Sequence, residues 1–154
     1  MKPLAIVFGI FFTLTAAAQS PAAKNFHNMK NYTTDSVAIA GVLTDAYFKG
    51  IYTGDVDLLK TVYFDGTLLF GDVKGQPYYK TLAQYLDGVK NRQSPKDSGK
   101  PFSGNIQGIE IVNSIAMVKV QVKMYDFNYS ELLSFHKFDG KWLIVNKMIS
   151  DVEP

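Results

Sequence analysis

The fold is decided by residues 115–151, which read IAMVKVQVKMYDFNYSELLSFHKFDGKWLIVNKMISD. From Val118 to Lys123, valine alternates with lysine or glutamine. This period of two is typical of a strand with one buried and one solvated face. Asp139-Gly140 is the two-residue turn that best suits the twist of a hairpin, and an apolar run resumes after Lys141. The stretch therefore predicts three long antiparallel strands.

Upstream of these strands the pattern changes to that of helices. Thr34, Asp35 or Ser36 can cap a first helix, and Gly54 is placed to end it. The apolar positions of this helix recur mostly every three or four residues and predict one buried stripe. They are Val37, Ala40, Leu43, Tyr47, Phe48 and Ile51.

Further elements are predicted between the first helix and the closing strands. Asp55 caps a short second helix that ends near Val62, and residues 81–91 form a third helix. Residues 66–73 and 105–112 are expected to be strands, with a mobile loop between the third helix and Gly104. Helices followed by a mostly antiparallel sheet indicate an α+β fold.

The length of the strands predicts the shape of the sheet. Residues 115–126 would extend on the order of 40 Å at ~3.3 Å per residue, too long to stay flat under native twist. We therefore expect a cone-shaped, curved sheet with the three N-terminal helices packed on its concave face, a cystatin-like roll. Such a cone encloses a pocket.

The first residues are typical of a signal peptide. Lys2 precedes an apolar run from Leu4 to Leu14, and Ala16 to Ala18 suit cleavage before Gln19. The apolar run is shorter than the roughly 20 residues that span a bilayer, so no stable membrane anchor is expected. We predict a bacterial, periplasmic or secreted protein with a signal peptide at 1–18, a flexible lead-in at 19–33 and one domain at 34–154.

Composition excludes several classes of protein. The chain has no cysteine, so disulfides and thiolate chemistry are excluded. Without residues 1–18, 15 Lys and Arg stand against 14 Asp and Glu, a net charge of +1 that does not favour nucleic-acid binding. One local cluster is basic. It consists of Lys90, Arg92, Lys96 and Lys100, and we interpret it as a solvated loop, with an anion-binding patch as the alternative.

Several motifs resemble those of the nuclear transport factor 2-like superfamily. They are YTGD at 52–55, LL at 58–59, FD at 64–65 and KFDGKWLIV at 137–145. The chain looks most like the putative lumazine-binding family, and more distantly like polyketide cyclases and ketosteroid isomerase. The resemblance covers roughly residues 34–149 and implies the fold. It says little about function, because the superfamily includes enzymes, carriers and interaction modules.

The resemblance to the isomerase implies an incomplete catalytic site. Tyr47 falls where that enzyme has its oxyanion-hole tyrosine, and the base falls at Gly71 or, with a slip of one residue, at Asp72. The position of the protonated acid falls at Ser134, which cannot serve as one. The resemblance therefore does not predict isomerase chemistry.

Other catalytic and metal-binding patterns are weak. Ser134 and His136 share a strand face, but residues two apart are nearly 7 Å apart along a strand, beyond direct hydrogen-bond reach. His136 thus stays only a catalytic candidate beside Tyr47 and Asp72. His27 lies in the lead-in, and two isolated histidines predict no metal site. We predict no cofactor.

The many aromatic residues favour a cavity for a flat or apolar ligand. Lys147 needs a buried partner such as Asp72, or a ligand anion, if its face is concave; on the convex face it is merely solvated. The predicted ligand-binding residues are Tyr47, Phe70, Asp72, Tyr85, Val120, Ser134, His136 and Lys147.

Two classes of function remain open. The first is a non-catalytic exported module that binds a small aromatic or apolar ligand, or that pairs with itself, as a homodimer, or with another protein through the outer face of the sheet. The second is a small isomerase, cyclase or hydrolase that uses Asp72 as base and Tyr47 as donor. We favour the first class. A large cavity in which a carboxylate and a hydroxyl point to one place would favour an enzyme, whereas a cone filled by side chains would favour a structural or interaction role.

Overall fold

The computed structural model describes residues 21–152, with side chains from residue 31 onwards. The predicted signal peptide and its cleavage site lie outside the described residues. The helical segments are α1 (Pro21–Gly41), a π-helical segment (Val42–Phe48), α2 (Lys49–Thr53), α3 (Val56–Lys60), α4 (Leu82–Asn91) and α5 (Pro95–Ser98). The strands are β1 (Tyr63–Val73), β2 (Gln76–Thr81), β3 (Phe102–Val112), β4 (Ile115–Met124), β5 (Phe127–Phe138) and β6 (Lys141–Asp151).

The first three helical segments form one continuous rod, because the junction residues Gly41 and Phe48 keep right-handed helical angles. The rod ends as predicted at Gly54, whose φ of 70° suits a glycine cap. The predicted start at residues 34–36 is wrong, because the helix begins at Pro21. The buried stripe also differs: Val37 is 68% exposed, and Ile39 takes its place.

The short helices are held by side-chain caps, of which the one at Asp55 was predicted. The side chain of Asp55 accepts a hydrogen bond from the Leu58 amide at 2.9 Å. Thr81 and Gln84 form a reciprocal capping box at the start of α4. The segment predicted as a mobile loop contains α5, which Ser94 caps, so that prediction is wrong in part.

The strands form one curved, unclosed sheet in the order β2-β1-β6-β5-β4-β3. Neighbouring strands are antiparallel, except that β1 and β6 are parallel. The three closing strands are confirmed, as is the turn at Asp139-Gly140, where both residues have positive φ. The strand β2 was not predicted. It pairs with β1 through a hairpin whose turn is Lys74-Gly75.

The sheet has two faces of different character. The inner face packs against the helices and carries the buried core, whereas the outer face is largely accessible. The curvature brings β3 onto the helical rod. A Cβ at Gly104 would lie 2.4 Å from the ring of Phe48, so only glycine permits this approach. The α+β fold with a curved sheet and helices on one face is therefore as predicted.

Candidate ligand-binding site

Three polar side chains form a closed hydrogen-bonded triangle inside the cone. The hydroxyl of Tyr47 donates to Glu131 Oε2 at 2.5 Å. The ammonium of Lys147 donates to Glu131 Oε1 at 2.6 Å and to Tyr47 Oη at 2.8 Å. All three residues are at most 2% exposed. We call this arrangement the polar triangle.

Two strands and the π-helical segment bring the polar triangle together. Tyr47 belongs to the π-helical segment, and π-helical turns are frequent at functional sites. Glu131 lies opposite Val120 across β4 and β5, and Lys147 lies opposite Leu133 across β5 and β6. Both therefore project from the inner face, where most of the buried side chains are hydrophobic.

A β-bulge decides the orientation of Lys147. Phe135 pairs with Ile144, but Ser134 pairs with Asn146, so Val145 is an extra residue in β6. Because of this insertion, Ile144 and Lys147 both face inward although they are three residues apart. The concave alternative for Lys147 thus holds in the structure, and its buried partner is Glu131 instead of Asp72.

Burial determines the protonation of the tyrosine in the polar triangle. Loss of solvation, and then the negative charge of Glu131, raise the pKa of Tyr47 well above its ordinary value. Tyr47 therefore stays a neutral donor to the carboxylate. The Lys147 ammonium also lies 5.4 Å from the ring centres of both Tyr47 and Tyr85, which adds a cation–π contribution.

A cavity of about 260 Å³ adjoins the polar triangle. Three tyrosine rings form part of its wall, those of Tyr78, Tyr85 and Tyr129. Burial raises the pKa of all three hydroxyls, so they are neutral at ordinary pH. The remaining lining residues are Ile51, Val73, Lys80, Gly88, Val89, Arg92, Val122, Met124, Glu131, Lys147 and Ile149.

Arg92 brings a second positive charge to this cavity. It follows α4 directly and caps its C-terminal end with extended backbone angles. Its Nε and Nη2 atoms are buried and have no hydrogen-bond partner among the described residues. Of the predicted basic cluster, only Arg92 lines the cavity, while Lys96 is exposed to solvent.

The structure brings together four of the predicted ligand-binding residues. Tyr47, Tyr85, Val120 and Lys147 all belong to the buried interior. Tyr85 and Lys147 line the cavity directly. Val120 pairs with Glu131 across the sheet, and the hydroxyl of Tyr47 donates a hydrogen bond to the Glu131 carboxylate.

The other four predicted residues lie on the outer face and do not reach the cavity. They are Phe70, Asp72, Ser134 and His136. Their neighbours in the strands, such as Leu69, Leu133 and Phe135, point inward, and strict alternation then turns these four outward. The separation of Tyr47 from Asp72 by the sheet means that the predicted donor and base are not assembled.

The contacts of the outward residues are local. Asp72 accepts a hydrogen bond from Ser150 Oγ at 3.1 Å. The Ser134 hydroxyl points to Met117 Sδ at 4.0 Å, and His136 packs its ring 4.4 Å from that of Phe138. No hydrogen bond joins Ser134 to His136 in the described part of the chain, so these two residues do not form a nucleophile–base pair.

Sequence reasoning missed Glu131 and the inward placement of Arg92. The adjacent pair Leu132-Leu133 hides the alternation of β5, so Glu131 was not recognised as an inward residue. Its position two residues from Tyr129 and from Leu133, both buried, was the signal that could have found it.

Within residues 31–152, whose side chains the structure describes, no three His, Asp or Glu residues cluster in a way that could hold a metal ion. Over residues 21–152 no helix has the length and apolarity needed to cross a membrane.

The structure is similar to several solved structures of nuclear transport factor 2-like proteins of unknown function. Those from Silicibacter pomeroyi and Shewanella baltica share 16% and 22% sequence identity with this chain, each with a TM-score of 0.70. They cover 79% and 80% of this chain, and 98% of their own chains are matched. A protein from Methylobacillus flagellatus has 24% identity and a TM-score of 0.69, with 78% of this chain and 94% of its own covered. These likenesses show the fold.

A comparison with curated proteins found no match. A family profile, in contrast, matches residues 34–150, which is most of the chain. The buried site and the curved sheet described above lie within the matched residues. The chain therefore belongs to the family described as putative lumazine-binding, within the nuclear transport factor 2-like fold.

Proposed function

We propose that this protein is an exported, non-catalytic domain that binds a small, flat ring compound in the cavity of its curved sheet. The observation that carries the proposal is the cavity of about 260 Å³ walled by Tyr78, Tyr85 and Tyr129. Its volume is close to the lower end of the about 300–1,000 Å³ of small-molecule sites, so it suits one or two rings. The name of the family points to lumazine, which is such a flat heteroaromatic compound.

The polar triangle supports a binding role over a catalytic one. Tyr47 donates its only proton to Glu131 and accepts from Lys147, so its hydroxyl is already engaged. A general acid or an oxyanion donor must instead reach the reacting atom. Tyr47 also does not line the cavity, whereas Glu131 and Lys147 do. The polar triangle therefore gives the cavity wall a fixed polar region that the ligand can contact.

Export is proposed from the sequence of the first 18 residues. A cleaved signal peptide would leave Gln19 as the first residue of the mature chain. The intact mass of the protein isolated from the periplasm or the medium checks this directly. A cytoplasmic protein that retains Met1 to Ala18 would contradict export without affecting the proposed binding.

A second role, self-association through the outer face, is supported by a row of exposed apolar side chains. Tyr79 pairs with Phe70, Phe70 with Met148, and Met148 with Leu132, across four adjacent strands. These four side chains are 37–61% exposed. We propose that a second copy of the chain covers this row, because contiguous apolar patches are uncommon on the free surfaces of soluble proteins.

The ligand-binding proposal is tested with a variant that fills the cavity. Gly88 lines the cavity, and a Cβ there would meet only Lys80 Nζ, at 3.9 Å. Gly88→Leu therefore places a side chain in open space and favours the helix α4. Gly88→Ala is the matched control, because it gains the same helical preference but leaves most of the volume free.

Two measurements complete the test. Native mass spectrometry of protein purified from its own compartment detects a retained compound, and ligand-observed NMR measures the binding of added lumazine. We expect wild type and Gly88→Ala to hold a ring compound and Gly88→Leu to lose it. The proposal is contradicted if wild type retains no compound and does not bind lumazine, or if Gly88→Leu binds as well as wild type.

A further inference from the structure

The arginine that lines the cavity is charged and unpaired. Arg92 Nε and Nη2 are both buried, and no residue of the described part of the chain hydrogen-bonds to them. A guanidinium stays protonated at all ordinary pH values, so its charge cannot be removed by deprotonation. A buried charge without a partner is costly, and such groups in native proteins are normally paired with a counter-charge or a ligand. These two donors are therefore available to a ligand in the cavity.

The two unpaired atoms form one edge of the guanidinium. The N–H groups of Nε and Nη2 point in parallel, and this fork matches two oxygens of a carboxylate or a phosphate. A single carbonyl oxygen or a ring nitrogen would satisfy only one of them. An anion with two oxygens satisfies both donors and also complements the positive charge of the guanidinium, which a single neutral acceptor does not.

The charges around the cavity favour the same kind of ligand. The lining contains three cationic side chains, Lys80, Arg92 and Lys147, and one carboxylate, Glu131, a net charge of +2. Glu131 uses Oε1 for Lys147 and Oε2 for Tyr47, so it does not neutralise Arg92. The Lys80 ammonium lies 5.2 Å from the ring centre of Tyr78, on the wall of the same cavity.

We propose that the ligand of this cavity carries an oxyanion, a carboxylate or a phosphate ester, which binds the Nε/Nη2 edge of Arg92 while its ring lies against Tyr78, Tyr85 and Tyr129. This inference rests on the proposed function and adds the chemical class of the ligand. It assigns to Arg92 the role of a specificity-determining residue for charge.

The experiment compares three probes that share a phenyl ring. Benzamide is neutral and has nearly the shape of benzoate, benzoate carries a carboxylate, and phenyl phosphate carries a phosphate ester. Dissociation constants are measured by NMR titration at fixed, low salt for wild type, Arg92→Gln and Arg92→Lys. Lys96→Gln is the matched control, since it removes one positive charge of the same cluster outside the cavity.

We expect at least one of the two anions to bind wild type about tenfold or more tightly than benzamide, the scale of a charge-assisted bidentate pair. Arg92→Gln should abolish this preference, Arg92→Lys should retain only part of it, and Lys96→Gln should keep it. The anion that binds more tightly identifies the source of the oxyanion. Thermal unfolding of the ligand-free variants should show no loss of stability, because the replacement breaks no hydrogen bond of Nε or Nη2 to a described residue.

The possible failures are distinguishable. If benzamide binds wild type as tightly as both anions do, or if Arg92→Gln keeps the preference for an anion, the oxyanion proposal is overturned and ring binding stands. If none of the three probes binds, the oxyanion proposal is also overturned, and the result then counts against the proposed ring-binding function as well.

Discussion

Lys147 Nζ lies 2.6 Å from Glu131 Oε1, and the two side chains are only 3% and 2% exposed. A buried ion pair of this kind adds little net stability compared with well-packed apolar residues, but the loss of one partner leaves an uncompensated charge. The pair therefore makes the interior of the cone intolerant of single changes.

Replacement of one partner should destabilise the fold strongly. We expect Glu131→Gln or Lys147→Met to lower the free energy of unfolding by about 3–5 kcal/mol, and the double replacement to cost much less than the sum. Urea unfolding checks both. Lys60→Met, which breaks the exposed pair with Asp57, is the control and should cost about 1 kcal/mol or less. If the free energies of unfolding of the single variants lie within about 1 kcal/mol of the wild-type value, the remaining charge is not costly, and the prediction is wrong.

The buried tyrosines should make the protein sensitive to alkali. Burial raises the pKa of Tyr47, Tyr63 and Tyr85, so the folded state favours their neutral forms. Their contribution to stability is complete below the unfolded-state pKa of about 10 and is lost as the pH rises towards their folded-state values. Phenolate absorbance should therefore show tyrosines that ionise only on unfolding. Tyr85→Phe should remove one of them, whereas Tyr79→Phe, at a residue 61% exposed, is the control and should leave their number unchanged.

Asp35 should make the link between the first helix and the sheet sensitive to acid. Its carboxylate accepts hydrogen bonds from Lys137 Nζ at 2.6 Å and from Trp142 Nε1 at 3.1 Å. The bond from Lys137 is the main cause that lowers the pKa of Asp35, so the folded state favours the charged form. Its stabilisation is present above the unfolded-state pKa of about 3.9 and is lost as the pH falls through the lower folded-state pKa.

The fluorescence of Trp142, the only tryptophan of the chain, gives the measurement for Asp35. We expect an acid transition in Trp142 fluorescence that disappears in Asp35→Asn. That variant should be less stable than wild type at neutral pH and should approach it at low pH. Asp57→Asn, at an exposed carboxylate, serves as control. Equal acid transitions in Asp35→Asn and wild type would contradict the assignment to Asp35.

The apolar row on the outer face should control self-association. Met148→Lys places a charge in the centre of the row, between Phe70 and Leu132. We expect size-exclusion chromatography with light scattering to give a dimer for wild type and a monomer for this variant, with unchanged thermal unfolding of the subunit. Lys119→Ala, at the end of the same row, should remain a dimer. A monomeric wild type would refute the proposed dimer.

Much of the fold could be predicted because local patterns and packing agree. The alternating valines of β4, the turn at Asp139-Gly140 and the glycine cap at Gly54 each have one favourable backbone solution. The hairpin strand β2 escaped prediction because it is short and contains Pro77, which usually argues against a strand. As the edge strand of the sheet, β2 tolerates that proline.

The site was less predictable, because pairing between distant strands determines which side chains meet. Regular alternation would place Val145 and Lys147 on the same face, but the bulge at Val145 breaks the alternation and Lys147 is buried. No local pattern in β6 reveals the bulge. Asp72 was predicted as a partner of Lys147 on a concave face, but Asp72 shares the outer face with Phe70. Arg92 belongs to a basic run that usually indicates surface, and only the end of α4 turns it inward.

The parallel pairing of β1 with β6 has a consequence for how the molecule assembles. The antiparallel strands β3 to β6 follow one another in a simple meander, so each can pair with the next through contacts that are close in sequence. The strand β1 and its hairpin partner have no place to dock until residues 141–151 are available, since β6 lies between them and the rest of the sheet. Closure of this long loop should be the slow event of folding, and a chain that lacks β6 cannot complete the sheet.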